Sequence, residues 1–152
     1  AWHRRPGPMR TLPASWCCAA CPVRANRLRC GSVGFVRARP AQPPPGRRWG
    51  GGPLLAVDCG TSVSFDGEQY IRAFRSSDWA SRGFCSECGT HLFYRLSQNG
   101  QYIMPAGLFE QADDLVFDHQ VCIDSKPGYY SFAEQTHNMT CDELFAAFAP
   151  PQ

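Results

Sequence analysis

Residues 83–96 read GFCSECGTHLFYRL, a stretch in which two cysteines two residues apart are followed by an alternating aromatic run. Two thiolates at this spacing can chelate one zinc ion from a tight turn. Gly89 suits such a turn because glycine adopts positive φ without steric cost. A redox CxxC pair would instead open a helix in a βαβ unit, whereas THLFYRL alternates as a strand does. The stretch therefore predicts a zinc knuckle at a hairpin tip, with Cys85 and Cys88 as ligands.

The flanking sequence has the turn residues between short apolar runs that are typical of a mainly β domain. The run LLAV at 54–57 is followed by a turn at Cys59-Gly60-Thr61 and by alternation over 62–65. Asp66-Gly67 and Asn99-Gly100 are hairpin signals. LVFDHQVCID at 115–124 has the composition of a further strand. Short strands separated by such turns indicate a mainly β fold.

One helix is predicted at the C-terminal end of the sequence. Thr140-Cys141-Asp142-Glu143 fits a capping box, in which Thr140 is the N-cap and Glu143 lies at N3. Met139 and Leu144 then occupy the two positions of a hydrophobic staple. Pro150 and Pro151 follow and end the helix.

The net charge of +2 hides a division along the chain. Residues 1–50 contain ten arginines and no acidic residue, whereas residues 51–152 contain five basic residues and all 13 acidic ones, which gives 5 − 13 = −8. The nine cysteines are odd in number. We therefore expect thiols in a reducing compartment rather than a disulfide framework. Three isolated cysteines, Cys59, Cys122 and Cys141, are interpreted as small buried apolar residues.

The sequence divides into two segments near residue 47. In residues 1–50, Arg, Pro, Gly and Ala occupy 30 positions, and lysine, isoleucine and tyrosine are absent. No helical or strand period runs through residues 1–46, so we expect an irregular, disordered or frameshifted segment there and a zinc-binding domain over residues 47–149. With no secretory signal and no apolar run of the length a membrane helix needs, we expect a cytoplasmic protein.

A structural zinc site needs two ligands besides the knuckle cysteines. CCAAC at residues 17–21 offers Cys18 and Cys21 at CxxC spacing, and Cys30 precedes a glycine. Spacing alone pairs Cys18 and Cys21 with Cys85 and Cys88 as a four-cysteine ribbon. Cys30 stays open as an alternative ligand.

From Arg47 onward the sequence closely resembles the glutathione-dependent formaldehyde-activating family, also described as centromere-protein-V-like. The segments that carry the resemblance are RRWGGGPLLAV, SSDWASRGFCSECGTHLFYR, YIMPAGLF, DHQVCIDSKPGYYSFA and MTCDELFAAF. The resemblance implies an Mss4-like β fold, a structural zinc site and a second zinc linked to catalysis. It also implies a carbon–sulfur lyase type of activity, in which glutathione and formaldehyde give S-(hydroxymethyl)glutathione.

The chain departs from that family at its N-terminal motifs. Counting back from Arg47, Ala41, Pro43 and Gly46 occupy the three cysteine positions of the family's catalytic C-H-C-x-x-C segment, and Leu28 stands where a structural cysteine is expected. Without those thiols we expect impaired catalysis and assign no catalytic residue. A frameshift upstream of Arg47 would account for the change.

Two hypotheses about function follow from these features. The first is a zinc protein of the lyase type with a small-molecule substrate, such as the glutathione adduct of an aldehyde, and no membrane partner. The alternative is a non-enzymatic zinc-ribbon module whose basic N-terminal arm contacts nucleic acid. The arm has no lysine and the rest of the chain is acidic, so nucleic acid is not the favoured partner.

Overall fold

The computed structural model describes residues 10–12, 21–30, 35–39, 50–109 and 115–148, with the backbone alone for 10–12, 24–30 and 35–39. Two compact units divide the chain. Unit 1 comprises Ala1–Gly34 and Val57–Leu115, and unit 2 comprises Phe35–Ala56 and Val116–Gln152.

Strands predominate among the described residues, and one short α-helix lies at their C-terminal end, so the predicted mainly β class is confirmed. The strands and the helix are β1 Arg10–Leu12, β2 Arg24–Cys30, β3 Phe35–Arg39, β4 Leu54–Gly60, β5 Val63–Asp66, β6 Ile71–Arg75, β7 Ala80–Cys85, β8 His91–Leu96, β9 Tyr102–Pro105, β10 Val116–Val121, β11 His137–Met139 and α1 Cys141–Phe148.

Unit 1 contains two antiparallel arrangements. One is a three-stranded sheet in the order β1-β2-β5, and the other runs β9-β8-β7-β6. The predicted hairpin at Asn99-Gly100 is confirmed, since β8 and β9 pair on either side of it and Gly100 has φ 70°. The Gly100 N–H donates to the Leu96 carbonyl at 2.9 Å.

The hairpin predicted at Asp66-Gly67 is wrong. Strand β5 pairs with β2, whereas β6 pairs with β7, so this turn carries the chain from one sheet to another. Position 67 nevertheless requires glycine, because its φ is 77° and a Cβ there would collide with the Pro22 carbonyl. The turn at Asp66-Gly67 was predicted correctly, but the strands that pair on either side of it are determined by distant residues.

The interior of unit 1 is aromatic on one side of the β6–β9 strands. The rings of Phe65, Phe93 and Tyr102 pack with centroid distances of 5.0–5.9 Å. Gly83 lies directly under Phe93, where a Cβ would overlap the ring. A side chain at residue 83 would therefore displace Phe93 from this cluster.

In unit 2, β10 pairs in parallel with both β3 and β11. Helix α1 follows β11, and the predicted capping box is confirmed: the Glu143 N–H donates to Thr140 Oγ1 at 3.2 Å, and the Thr140 N–H donates to Glu143 Oε2 at 2.7 Å. Leu144 is buried with Met139 beside it, as the staple requires.

Cys122 and Cys141 form a disulfide that closes a 19-residue separation, which corrects their assignment as unpaired apolar residues. Both are buried in a core cluster with Val121 and Leu144. The prediction was wrong because spacing along the chain does not show that the end of β10 meets the start of α1.

The segment expected to be irregular contains three strands, β1, β2 and β3. They were not predicted because the arginine, proline and alanine residues show no alternation, and the strands are defined by pairing: β1 with β2, β2 with β5, and β3 with β10. The boundary at residue 47 and the frameshift stay predictions. None of the helices in the described ranges is long and apolar enough to cross a membrane.

Candidate metal centre

Three cysteines of unit 1 bring their thiols together. The sulfur atoms of Cys21, Cys85 and Cys88 all lie within 4.8 Å of one another, and Cys88 Sγ is 3.5 Å from Cys21 Sγ. Cys85 is fully buried, Cys21 is 7% exposed and Cys88 lies at the surface. The cluster is therefore accessible from one side.

The turn between β7 and β8 positions the two knuckle thiols. The Cys85 N–H donates to the Thr90 carbonyl at 2.9 Å, and the Gly89 N–H donates to the Cys85 carbonyl at 2.8 Å. Gly89 has φ 71°, the conformation that the glycine after the second cysteine was predicted to supply. A third bond, from the Ser86 N–H to the Tyr70 carbonyl at 2.7 Å, ties this turn to the chain just before β6.

Cys21 reaches the cluster through the packing of the residues that follow it. Val23 is fully buried, and the backbone of Pro22 lies against Gly67 with no room for a side chain. Arg24 then pairs with Asp66 at the start of β2. The β5–β6 turn thus holds Cys21 beside a hairpin that is more than 60 residues further along the chain.

The surroundings separate the acidities of these thiols. Burial raises the pKa of Cys21 to about 12, whereas hydrogen bonds from the Thr90 side chain and backbone lower the pKa of Cys88 to about 6. Cys88 is therefore a thiolate at neutral pH while Cys21 keeps its proton. A divalent cation would favour ionisation of Cys21 as well, because a coordinating thiol is deprotonated outright.

The donor set fits zinc. Thiolate is a preferred zinc ligand at about 2.3 Å, and tetrahedral geometry then sets sulfur separations of about 3.8 Å. The Cys21–Cys88 sulfur separation of 3.5 Å is close to that value, and no separation within the cluster exceeds 4.8 Å. Within the side chains that the structure describes, no fourth histidine, cysteine or carboxylate joins the group.

The sequence-predicted ligands are thus partly brought together. Cys21, Cys85 and Cys88 converge, whereas Cys18 lies outside the described residues. Cys30 ends β2, whose extended backbone spans about 20 Å from Arg24. Its side chain is outside the description, so its role as a ligand stays a prediction. Spacing alone paired Cys21 with the knuckle and left Cys30 as an alternative, and the pairing of β2 with β5 places the backbones of the two residues at opposite ends of β2.

Two partly buried histidines, His91 and His119, lie outside the thiol cluster. His91, at the start of β8, is mostly buried, and burial followed by repulsion from Arg82 lowers its pKa to about 4. In unit 2, His119 Nδ1 lies 2.6 Å from a carboxylate oxygen of Asp118, and its ring meets that of His137 at 5.3 Å. No local pattern indicates that His119 and His137 are neighbours, because β10 and β11 pair in parallel across a long connection.

Comparison with known proteins relates the chain to a lyase. No family model matches the chain. A protein of Schizosaccharomyces pombe, described as an uncharacterized lyase, is 38% identical over 100 residues, which cover 64% of this chain and 72% of that protein. Identity of this level over most of the relative indicates common descent, and the chain belongs to the same family as this uncharacterized lyase of Schizosaccharomyces pombe.

Proposed function

We propose that the chain binds zinc through Cys21, Cys85 and Cys88, with Cys18 as the fourth ligand. The convergence of three sulfur atoms from distant parts of the chain carries this proposal. Cys18 is three residues before Cys21, the same spacing as in the knuckle. Four thiolates would make a closed site, in which zinc contributes folding free energy rather than catalysis.

The proposed reaction is that of a carbon–sulfur lyase. The lyase name of the relative supports the reaction type, and the resemblance in sequence from Arg47 onward supports a thiol and an aldehyde as reactants. In such a reaction, a thiolate sulfur bonds to the carbonyl carbon and the carbonyl oxygen takes up a proton; the lyase direction reverses both steps. The proposed substrate is S-(hydroxymethyl)glutathione, or another thiol adduct of an aldehyde.

The same proposal includes impaired turnover. Ala41, Pro43 and Gly46 cannot ligate a metal through their side chains, so a second, open zinc site would lack its thiolates. We assign no catalytic residue among the remaining positions. The proposed location is the cytoplasm, whose reducing conditions would keep the three clustered thiols available to metal, whereas burial of Cys122 and Cys141 limits the access of reductants to their disulfide.

A non-enzymatic zinc-ribbon module is the second candidate. A closed cysteine site suits a structural module, and ten arginines in residues 1–50 would supply its contacts to nucleic acid. The two candidates differ in whether the zinc-loaded chain turns over a thiol–aldehyde adduct.

Metal content together with an exchange assay tests these proposals. We expect one zinc per chain by mass spectrometry and slow glutathione–formaldehyde exchange by NMR. Two zincs per chain, or exchange as fast as in a relative with all motif cysteines, would contradict the impairment. An absence of zinc would contradict the metal site itself. Exchange no faster than without protein would favour the non-enzymatic module.

A further inference from the structure

The outer pair of antiparallel strands in unit 1 presents arginines and aromatic rings in alternation. On β6 and β7, Arg72 lies opposite Phe84 and Phe74 lies opposite Arg82. Residues that face each other across a strand pair, or lie two apart on one strand, share a face of the sheet. These four residues therefore make one surface, which we name the arginine–aromatic face.

The rings of this face are open to solvent. Phe74 is 57% exposed and Phe84 is 36% exposed, and the guanidinium of Arg82 lies 5.7 Å from the Phe74 ring centroid. Trp79, which is 42% exposed, contacts the ring of Tyr94, whose residue pairs with Arg82 across β7 and β8. Exposed rings grouped in this way are costly to leave in water and mark interaction surfaces.

The charge of this face is uncompensated in the part of the chain that the structure describes. Arg72 Nη1 donates to the neutral carbonyls of Gln69 and Ile71 at 2.9 and 3.2 Å. Arg82 Nε is buried and has no hydrogen-bond partner. By contrast, Arg75 forms an ion pair with Asp78 at 2.9 Å. The guanidinium charges of Arg72 and Arg82 are therefore not neutralised by an ion pair with any described residue, although the buried Nε of Arg82 itself is out of reach of a ligand.

The combination of rings and cations favours a nucleic acid over an acidic peptide. Carboxylates would engage the arginines but leave both phenyl rings in water. Unpaired bases stack on aromatic side chains while phosphates meet arginines, and single-strand-binding proteins use both contacts together. A duplex hides its base faces, so the rings select for single strands.

We propose that the arginine–aromatic face binds single-stranded nucleic acid, with bases stacked on Phe74 and Phe84 and phosphates held by Arg72 and Arg82. This surface differs from the basic N-terminal arm that the sequence alone suggested. Its four residues look unremarkable in the sequence, and only the register of β6 against β7 brings them together.

The test separates base stacking from attraction to phosphates. The full chain, loaded with zinc, is titrated by fluorescence anisotropy with a labelled oligothymidine and with a strand of equal length that lacks bases. The ring variant is Phe74→Leu with Phe84→Leu, which keeps apolar side chains and the fold. The charge variant is Arg72→Gln with Arg82→Gln. Arg95→Gln and Phe145→Ala are the controls, since Arg95 lies on the opposite face, paired with Ser81, and Phe145 is an exposed residue of α1.

We expect the ring variant to bind oligothymidine about tenfold more weakly and to bind the strand without bases as the wild type does. The charge variant should weaken binding of both strands and reduce the salt dependence by about one ion per arginine. The controls should bind both strands normally.

Several results would overturn the proposal. These are equal wild-type affinity for the two strands, an equal loss for both strands in the ring variant, or unchanged binding in both double variants, which would assign binding to the arm. Competition by a glutamate-rich peptide that depends on Arg72 and Arg82 but not on the rings would identify an acidic protein partner instead.

Discussion

At the scale of single residues, the thiol cluster shows how surroundings differentiate identical side chains. Cys85 and Cys59 are both buried cysteines of unit 1, with 0% and 2% exposure, yet among the described side chains Cys85 belongs to the thiol cluster and Cys59 does not. Cys59 instead places its sulfur 3.6 Å from the Val57 carbonyl. The two residues therefore form a matched pair for testing the metal site.

Substituting Cys85→Ala should abolish stoichiometric zinc binding, whereas Cys59→Ala should keep one zinc per chain. Each change removes one buried sulfur, so the packing cost is comparable, and only Cys85→Ala removes a ligand. Zinc content by mass spectrometry, with circular dichroism as a check of folding, measures the difference. Equal zinc content in the two variants would contradict the site.

His91 should make stability depend on pH. Its pKa falls from 6.5 to about 4 on folding, first through burial and then through Arg82. The unfolded chain therefore binds more protons between these values, and stability falls as the pH drops from about 6.5 to about 4. At about 1.4 kcal/mol per pKa unit, the loss is roughly 3 kcal/mol.

Urea unfolding of the wild type and of His91→Gln across this pH range measures the contribution of His91. The variant has no imidazole to protonate, so its free energy of unfolding should decline less steeply. His137→Gln, which changes an exposed histidine of β11, serves as the control. Parallel pH profiles for the wild type and His91→Gln would show that another group is responsible.

At the scale of elements, the β7–β8 hairpin requires glycine at two positions, one in its turn and one within strand β7. Gly89 supplies the positive φ of the turn, and Gly83 leaves the space that Phe93 occupies. The requirement for glycine at residue 83 comes from the tertiary structure, because the ring that fills the space belongs to the neighbouring strand. Such a glycine adds no turn signal to the sequence.

Gly83→Ala should destabilise unit 1 by roughly 1–3 kcal/mol, the usual cost of overpacking a core. The new methyl would overlap the Phe93 ring. Gly107→Ala is the matched control, because a Cβ there meets nothing within 4 Å. Adding Phe93→Leu to Gly83→Ala should recover part of the loss. Thermal unfolding measures all four proteins, and equal effects of the two alanines would exclude the clash.

At the scale of the whole molecule, each compact unit has its own sulfur chemistry. The thiol cluster lies within unit 1, and the Cys122–Cys141 disulfide lies within unit 2. The disulfide joins the end of β10 to the start of α1, where the Cys141 N–H also donates to Asp124 at 2.8 Å. A metal bound at the thiol cluster would therefore stabilise a different part of the chain from the disulfide.

Replacing both Cys122 and Cys141 by alanine should lower the stability of unit 2 by about 3 kcal/mol, the entropic effect of opening a loop of this length. Zinc content should not change, and the further loss on adding a chelator should equal that of the wild type, because groups without shared partners contribute additively. Chemical unfolding with and without chelator measures both. A chelator effect that depends on the disulfide would contradict independence.

The sequence by itself determined the features that depend on neighbouring residues. The knuckle turn, the capping box of α1, the Asn99-Gly100 hairpin and the mainly β class all follow from local geometry, which a few adjacent side chains control. Three strands in the first 46 positions were not predicted from the sequence, because the arginine, proline and alanine residues there show no alternation of polar and apolar side chains.

Only the tertiary structure decided which distant residues meet. It placed Cys21 beside the knuckle, joined Cys122 to Cys141, sent the chain from one sheet to another at Gly67, and aligned Arg72 and Phe74 with Phe84 and Arg82. These contacts depend on strand pairing and burial across long separations. A sequence pattern shows the period and spacing of residues but not which distant residues come into contact, and a site depends on those contacts.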